Sequence, residues 1–299
     1  TLIILLIVMT SFLPFTASKA VEVKDLYQAS VSLNSRNEAD KAIALKEALT
    51  AVLVKIGGNK SVLENKVIKK SLVDYRLYLN QYRYQLSPPP SIEPLEEHQT
   101  ISKQLFLLAS FNEDKINQLF QQANLPIWGR LRPQVLLWLV TEDGFARTIT
   151  SNSTDSNLPV IVNDFSAQRG LPIIMPLMDL TDATQITLSD IWGRFEQPVR
   201  EASSRYHAEA IVVMRISNSS LLAHESEESV DAKTNDCGLL CTQTALKEQG
   251  YILDWSLLNW RLQGAQKRFS QEYKGVSQEM LLQQGLADIT ESIYQHYAL

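Results

Sequence analysis

Cysteine is scarce in this chain, with two among 299 residues. Cys237 and Cys241 stand in a Cys-Gly-Leu-Leu-Cys run, and that C-x3-C spacing without a second pair matches neither a C-x2-C redox motif nor a closed metal site. The four histidines, at 98, 207, 224 and 296, are scattered and fit no ligand spacing. No Gly-x-Ser-x-Gly elbow, His-Glu-x-x-His helix or Gly-x-Gly-x-x-Gly turn occurs. Gly57-Gly58-Asn59-Lys60-Ser61 fails as a phosphate loop, because it leaves a helix pattern and Asn59 separates glycine from lysine. An excess of basic residues is missing too. With 28 Lys and Arg against 33 Asp and Glu, the net charge is -5 and implies no basic face for nucleic acid. Nothing in the sequence calls for a cofactor.

The one long apolar run lies at the start, where Thr1 to Ser11 read TLIILLIVMTS. Pro14 then breaks helix, and Ser18-Lys19-Ala20 puts small residues at the two positions that a signal peptidase reads. Residues 1–20 are expected to be a signal peptide cleaved after Ala20, with the mature protein in the periplasm. About 13 apolar residues before Pro14 fall short of the roughly 20 that span a bilayer, so no stable membrane span is expected after cleavage. No cysteine follows the cleavage point to carry a lipid. Loss of Lys19, the only charged residue in the leader, takes the net charge from -5 to -6. In an exported chain, Cys237 and Cys241 are expected to form a local disulfide.

A content of 45% hydrophobic and 20% charged residues is that of a globular protein, and the length suits two domains. Residues 21–124 read as an N-terminal α+β domain. Val21 to Leu33 alternates as a strand, with a slip near Asp25 and Leu26. Ser35 to Glu38 has the form of a capping box, and Ala42, Leu45, Leu49, Val52 and Ile56 form one helical stripe that stops at Gly57-Gly58. A short helix near Val62 to Ser71 precedes strands over Tyr75 to Leu86 and Ile101 to Phe111, joined by a proline-rich hairpin loop at Ser87 to Ser91. Asn112 caps a further helix through Phe120.

Residues 125–133 form a connector, and residues 134–299 read as a C-terminal α/β domain with a mixed sheet and a late β-hairpin. Val135 to Thr141 is apolar without alternation, which marks a strand covered on both faces. A helix over Val160 to Arg169 precedes the apolar run Ile173 to Met178, which Pro176 demotes to an edge. A capping box at Thr187 and Asp190 opens a helix with the stripe Ile191, Phe195, Val199, Ala202 and Tyr206. Ala210 to Ile216 is a further buried strand. Residues 217–249 form a polar insertion that holds both cysteines. Tyr251 to Leu262 and Ala265 to Tyr273 form a hairpin, and Ser277 starts the last helix.

Asp179, Asp182 and Asp190 follow the second strand of this domain, where open α/β sheets bind ligands beyond the carboxyl ends of their strands. They are the candidates for a divalent cation or acid/base work, against a reading as loop polarity and helix caps. In the connector, Pro126 and Gly129 interrupt helix. Trp128 offers an apolar anchor, and Arg130 and Arg132 can reach carboxylates or carbonyls on either side. Trp128, Gly129, Arg132 and Pro133 are therefore expected to form a structural joint, with Trp128 buried between the domains.

Leu125 to Gly129, with Arg132-Pro133 running into Val135 to Leu139, resembles the central signature of exported Gram-negative proteins grouped as domain-of-unknown-function family 2066. Ala48 to Gly57, Tyr82-Arg83-Tyr84, Gly170 to Asp182 and Ser203 to Tyr206 add to the resemblance. It implies no activity and no catalytic residue. The second half is also similar in architecture to small α/β modules of periplasmic assembly factors, which bind other envelope proteins. The resulting expectation is a non-enzymatic periplasmic protein that binds an envelope protein partner in assembly or maintenance. The alternative is an envelope hydrolase, or a small-ligand or metal binder, that uses Asp179, Asp182 and Asp190.

Overall fold

A computed structural model describes residues 20–87, 104–144, 146–218, 250–259, 267–273 and 277–297. The cysteine pair, the proline-rich loop and the leader lie outside them. The fold is α+β, with a small antiparallel sheet and a larger mixed one.

The expected first strand is interrupted. Its start, β1 (Val21–Glu22), leaves for another partner, and β2 (Gln28–Leu33) joins the sheet. Leu26 and Tyr27 are both buried. Successive residues of a strand point to opposite faces, so two adjacent buried residues beside a one-sided sheet require the chain to turn between the two segments. Helix α1 (Glu38–Gly57) follows. It is capped two residues later than the Ser35 box implies: Asn37 Oδ1 accepts from the Asp40 amide at 2.7 Å, while Ser35 Oγ donates to the Asp40 carboxylate at 2.7 Å. Leu45, Leu49, Val52 and Ile56 are buried as their spacing predicts. Gly58 closes the helix at φ 79°, and its N–H donates to Val54 O at 2.9 Å. A Cβ here would lie 2.0 Å from the ring of Tyr294, so both backbone angle and close approach demand glycine.

After a 3-10 turn, α2 (Lys66–Val73) leads to β3 (Leu79–Ser87), β4 (Gln104–Phe111) and α3 (Glu113–Ala123). Asn112 caps α3, accepting from the Lys115 amide at 3.0 Å. The strands lie in the order β2-β4-β3, all antiparallel. Leu107, Ala109 and Phe111 face the core shared with α1, whereas Gln81, Arg83 and Gln85 on β3 are exposed on the other face.

Beyond β5 (Leu131–Arg132), which pairs with β1, the larger sheet is organised on β6 (Val135–Asp143). One edge of β6 pairs in parallel with β9 (Ala210–Ser217). The other edge is shared by β7 (Ala146–Thr150), antiparallel, and β8 (Ile173–Ile174), parallel. β10 (Tyr251–Asn259) and β11 (Lys267–Tyr273) extend the β9 side as the expected hairpin. Helices α4 (Leu158–Arg169) and α8 (Gln278–Tyr297) cover one face. There Val135, Leu137 and Leu139 share a core with Leu286 and Ile293. Helices α5 (Leu180–Gln185), α6 (Leu188–Gly193) and α7 (Glu196–Ser203) flank the other face. Leu136, Trp138 and Val140 lie there with Ile191 and Val199.

Two expectations change here. The helix predicted from Thr187 to Tyr206 is broken, because Arg194 adopts a left-handed φ of 55° between α6 and α7, and Phe195 is 56% exposed instead of buried. The capping box at Thr187 and Asp190 is present. Strand β7 has no counterpart in the sequence reading, although Asp143-Gly144 ahead of Arg147, Thr148 and Ile149 is a hairpin signal. The apolar run at Ile173 narrows to a two-residue edge strand, as Pro176 implies.

Candidate functional site

The connector brings its distinctive residues into one knot. Trp128 is 4% exposed, its backbone N–H donates to Ile56 O at 2.7 Å, and its ring meets Tyr294 edge-on at 5.5 Å. Arg132 is wholly buried beneath it, with its guanidinium carbon 4.2 Å from the Trp128 ring centre. A guanidinium has five N–H donors, and here each has a backbone carbonyl. Nε donates to Gly129 O at 3.1 Å, Nη1 to Arg169 O and Gly170 O at 2.9 Å each, and Nη2 to Lys55 O at 2.7 Å and Trp128 O at 3.1 Å. Three of these carbonyls end helices α1 and α4, where the helix dipole is negative, so one cation caps two helices. Burial, with Arg169 adding like charge, lowers the Arg132 pKa. Arg169 reinforces the tie by donating to Gly58 O at 3.0 Å. Pro133 is buried between β5 and β6, and Arg130 pairs with Glu113.

Beside this joint, a cleft of ≈ 570 Å³ opens between β2, β4 and α1 on one side and α4 on the other. Its volume falls in the range of small-ligand pockets. Lys55 lines it and is 5% exposed. Its Nζ donates to Asp25 O at 3.2 Å and to Gln28 O at 2.8 Å, and among the described residues no carboxylate lies within ion-pair distance. Burial lowers the ammonium pKa to about 8, Arg132 adds to that effect and Asp25 opposes it. Gln28, Ser30 and Arg83 line the sheet side, with Asp164 and Gln168 opposite on α4. A smaller hollow of ≈ 330 Å³ lies over the same sheet face past Gln81 and Arg83. Sequence reasoning missed Lys55. Its signal is a lysine within Ala51-Val52-Leu53-Val54-Lys55-Ile56, a helical turn apolar on all sides, where a charge is out of place unless something receives it.

The structure brings Asp179 and Asp182 together on Arg205 and gives Asp190 other partners. Asp179 caps α5 by accepting from the amides of Thr181 and Asp182, both at 3.0 Å. Arg205 grips it with two bonds, 2.6 Å to Oδ1 and 2.8 Å to Oδ2. Asp182 is fully buried and accepts from Arg205 at 3.1 Å, from the Met178 amide at 2.9 Å and from the Tyr206 hydroxyl. Asp190 stays at the start of α6, bonded to Thr187 on backbone and side chain. Among the described residues, no three His, Cys, Asp or Glu side chains form a group that could hold a metal ion. Arg205 stands where a cation would serve the first two acids. It holds the Asp179 carboxyl well below the usual carboxylate range, and burial together with Asp182 pushes Tyr206 up to about 12.

A second charged cluster lies on the larger sheet. Asp254 pairs with Arg215 and Arg194, and Arg215 and Arg147 approach the Trp192 ring at 5.1 and 4.0 Å. Arg215 and Asp254 are direct cross-strand partners, a relation invisible until the β9–β10 register is known.

Residues 20–129 match a protein family described as Domain of unknown function (DUF8605). The match runs from the residue before β1 into the connector, and it differs from the family that the connector motifs resemble. No curated protein and no solved structure matches the chain.

Proposed function

We propose that this protein works in the periplasm as a non-enzymatic binding protein that engages an envelope protein partner in assembly or maintenance. The observation that carries the reading is the sheet β2-β4-β3. Helix α1 covers one face, while the other presents exposed Gln81, Arg83 and Gln85 beside half-buried Phe106 and Leu108 and runs into the cleft at Lys55. Half-buried apolar residues among amides suit a protein surface that is exchanged between water and a partner. The leader-like run at residues 1–20 and the resemblance of the connector to exported Gram-negative proteins of family 2066 support the compartment.

The acids that a hydrolase or metal reading needs are already engaged, Asp179 and Asp182 by Arg205 and Asp190 by Thr187. A photo-crosslinking amino acid placed at Gln81 or Gln85 in cells should give a discrete adduct with an envelope protein. The same probe at Gln197 on α7 should not. Identical patterns from all positions, or none from Gln81 and Gln85, would refute the reading.

A further inference from the structure

Strand β2 is an edge of its sheet, and its outward backbone groups can be assigned. The Phe111 amide donates to Tyr27 O at 2.9 Å, so Tyr27 and Phe111 form a hydrogen-bonded pair at the head of the β2–β4 ladder. In an antiparallel ladder such pairs alternate, which turns the peptide groups of Ala29 and Val31 toward β4 and those of Gln28, Ser30 and Ser32 toward the free edge. Gln28 confirms the phase: its amide donates to Asp25 O at 3.3 Å, and its carbonyl accepts from Lys55 Nζ at 2.8 Å, both away from β4. Ser30 and Ser32 are exposed, and no described residue bonds their backbone groups on that edge. The free edge borders the cleft, with α4 opposite.

We propose that this edge is a docking site for the extended C-terminal segment of another polypeptide, which adds to β2 as an antiparallel strand and sets its terminal carboxylate against Lys55. Strand addition satisfies the open donors and acceptors at Ser30 and Ser32. The orientation follows from the closed end of the edge. Because Gln28 already spends its amide on Asp25 and its carbonyl on Lys55, the pairing of an added strand stops at Ser30. What lies at that end is a buried ammonium with no carboxylate at ion-pair distance among the described residues, and a chain terminus supplies one. The edge from Ser30 to Leu33 admits about four residues at roughly 3.4 Å each. Gln168 and Asp164 on α4 line the opposite wall for the outward side chains.

This site rests on the binding role proposed above and specifies where and how part of it occurs. The test is selection of a display library of random hexapeptides with free C-termini on the purified protein, followed by fluorescence polarisation with synthetic copies of the selected peptides. Selected peptides should lose at least about tenfold in affinity when their C-terminus is amidated, the scale of one charge-assisted hydrogen bond. Ser32→Pro, which removes an outward N–H from an edge strand, and Lys55→Met should each cost a similar factor. Ser32→Pro is expected to leave thermal unfolding unchanged, since edge strands accept proline where the donor faces outward, and it therefore decides the case if Lys55→Met does not fold. Failure to select any peptide, equal binding of acids and amides, or affinity indifferent to Ser32→Pro would overturn the proposal. So would acetate alone binding as tightly as the peptides. In any of those events, crosslinks from Gln81 and Gln85 would still stand or fall separately.

Discussion

The two sheets solve burial differently. Around β6 both faces are covered, so Leu136, Trp138 and Val140 are as deeply buried as Leu137 and Leu139. The β2-β4-β3 sheet buries one face against α1 and leaves the other to amides, serines and an arginine around half-buried Phe106 and Leu108. The first arrangement leaves little surface to change without loss of stability. The second separates the residues that hold the sheet together from those free to meet a partner. On the reading proposed above, recognition is placed on the smaller sheet, and the Asp254 and Arg205 clusters of the larger unit fit the role of internal ties.

The largest effect that would sharpen this contrast is expected from Trp138→Ala, which empties the doubly covered sheet and leaves Ser203 without the indole donor at 2.9 Å. Urea denaturation should show a loss of about 3–5 kcal/mol, and a loss under 1 kcal/mol would mean that the second face contributes little. Arg132→Met comes next. It takes the donors from five carbonyls at the joint, three of them in fully buried hydrogen bonds, and should cost roughly 3 kcal/mol, with the melting of both units affected. Two separate transitions of which only one shifts, or an unchanged midpoint, would show that the joint does not couple them.

Lys55 offers a smaller effect with a definite sign. Its folded-state pKa of about 8 lies below the ordinary 10.5, so the folded state resists the charge and the penalty is fully present below about pH 8. Between that pH and 10.5 the unfolded chain binds more protons, and stability gains up to about 3 kcal/mol from this group as pH rises. Subtracting the pH–stability profile of Lys55→Met from that of the native protein should isolate the rise, and a flat difference would contradict the assigned burial. The smallest effect is expected from Gln81→Ala with Gln85→Ala. Exposed side chains on the open face should change stability by no more than about 0.5 kcal/mol, while crosslinks from neighbouring Arg83 should weaken.

Much of the fold is legible in the sequence. The spacing from Leu45 to Ile56 specified the buried side of α1, Asn112 announced α3, and the unbroken apolar run after Pro133 marked β6 as central. These signals are local, since a helical stripe or an apolar run needs only neighbours in sequence. The errors arose where distant groups decide a local choice. Arg194 in a left-handed turn ends α6 early because its side chain reaches Asp254, and Asp182 is buried because Tyr206 and Arg205 arrive from the end of the next helices. For the candidate site, the sequence pointed to three acids, while Lys55 went unnoticed inside a turn that read as core.

The sequence by itself determined the class of fold, the covered strand at its centre and the importance of the connector, because composition and periodicity dictate which faces must leave water. Only the tertiary structure decided what the connector does. Arg132 could have paired with any acid in the chain, but folding delivers the carbonyl ends of α1 and α4 to its five donors and leaves Lys55 beside them with no ion-pair partner among the described residues. A single side chain does not encode which backbone ends will converge on it, and that convergence is what makes the joint and opens the cleft.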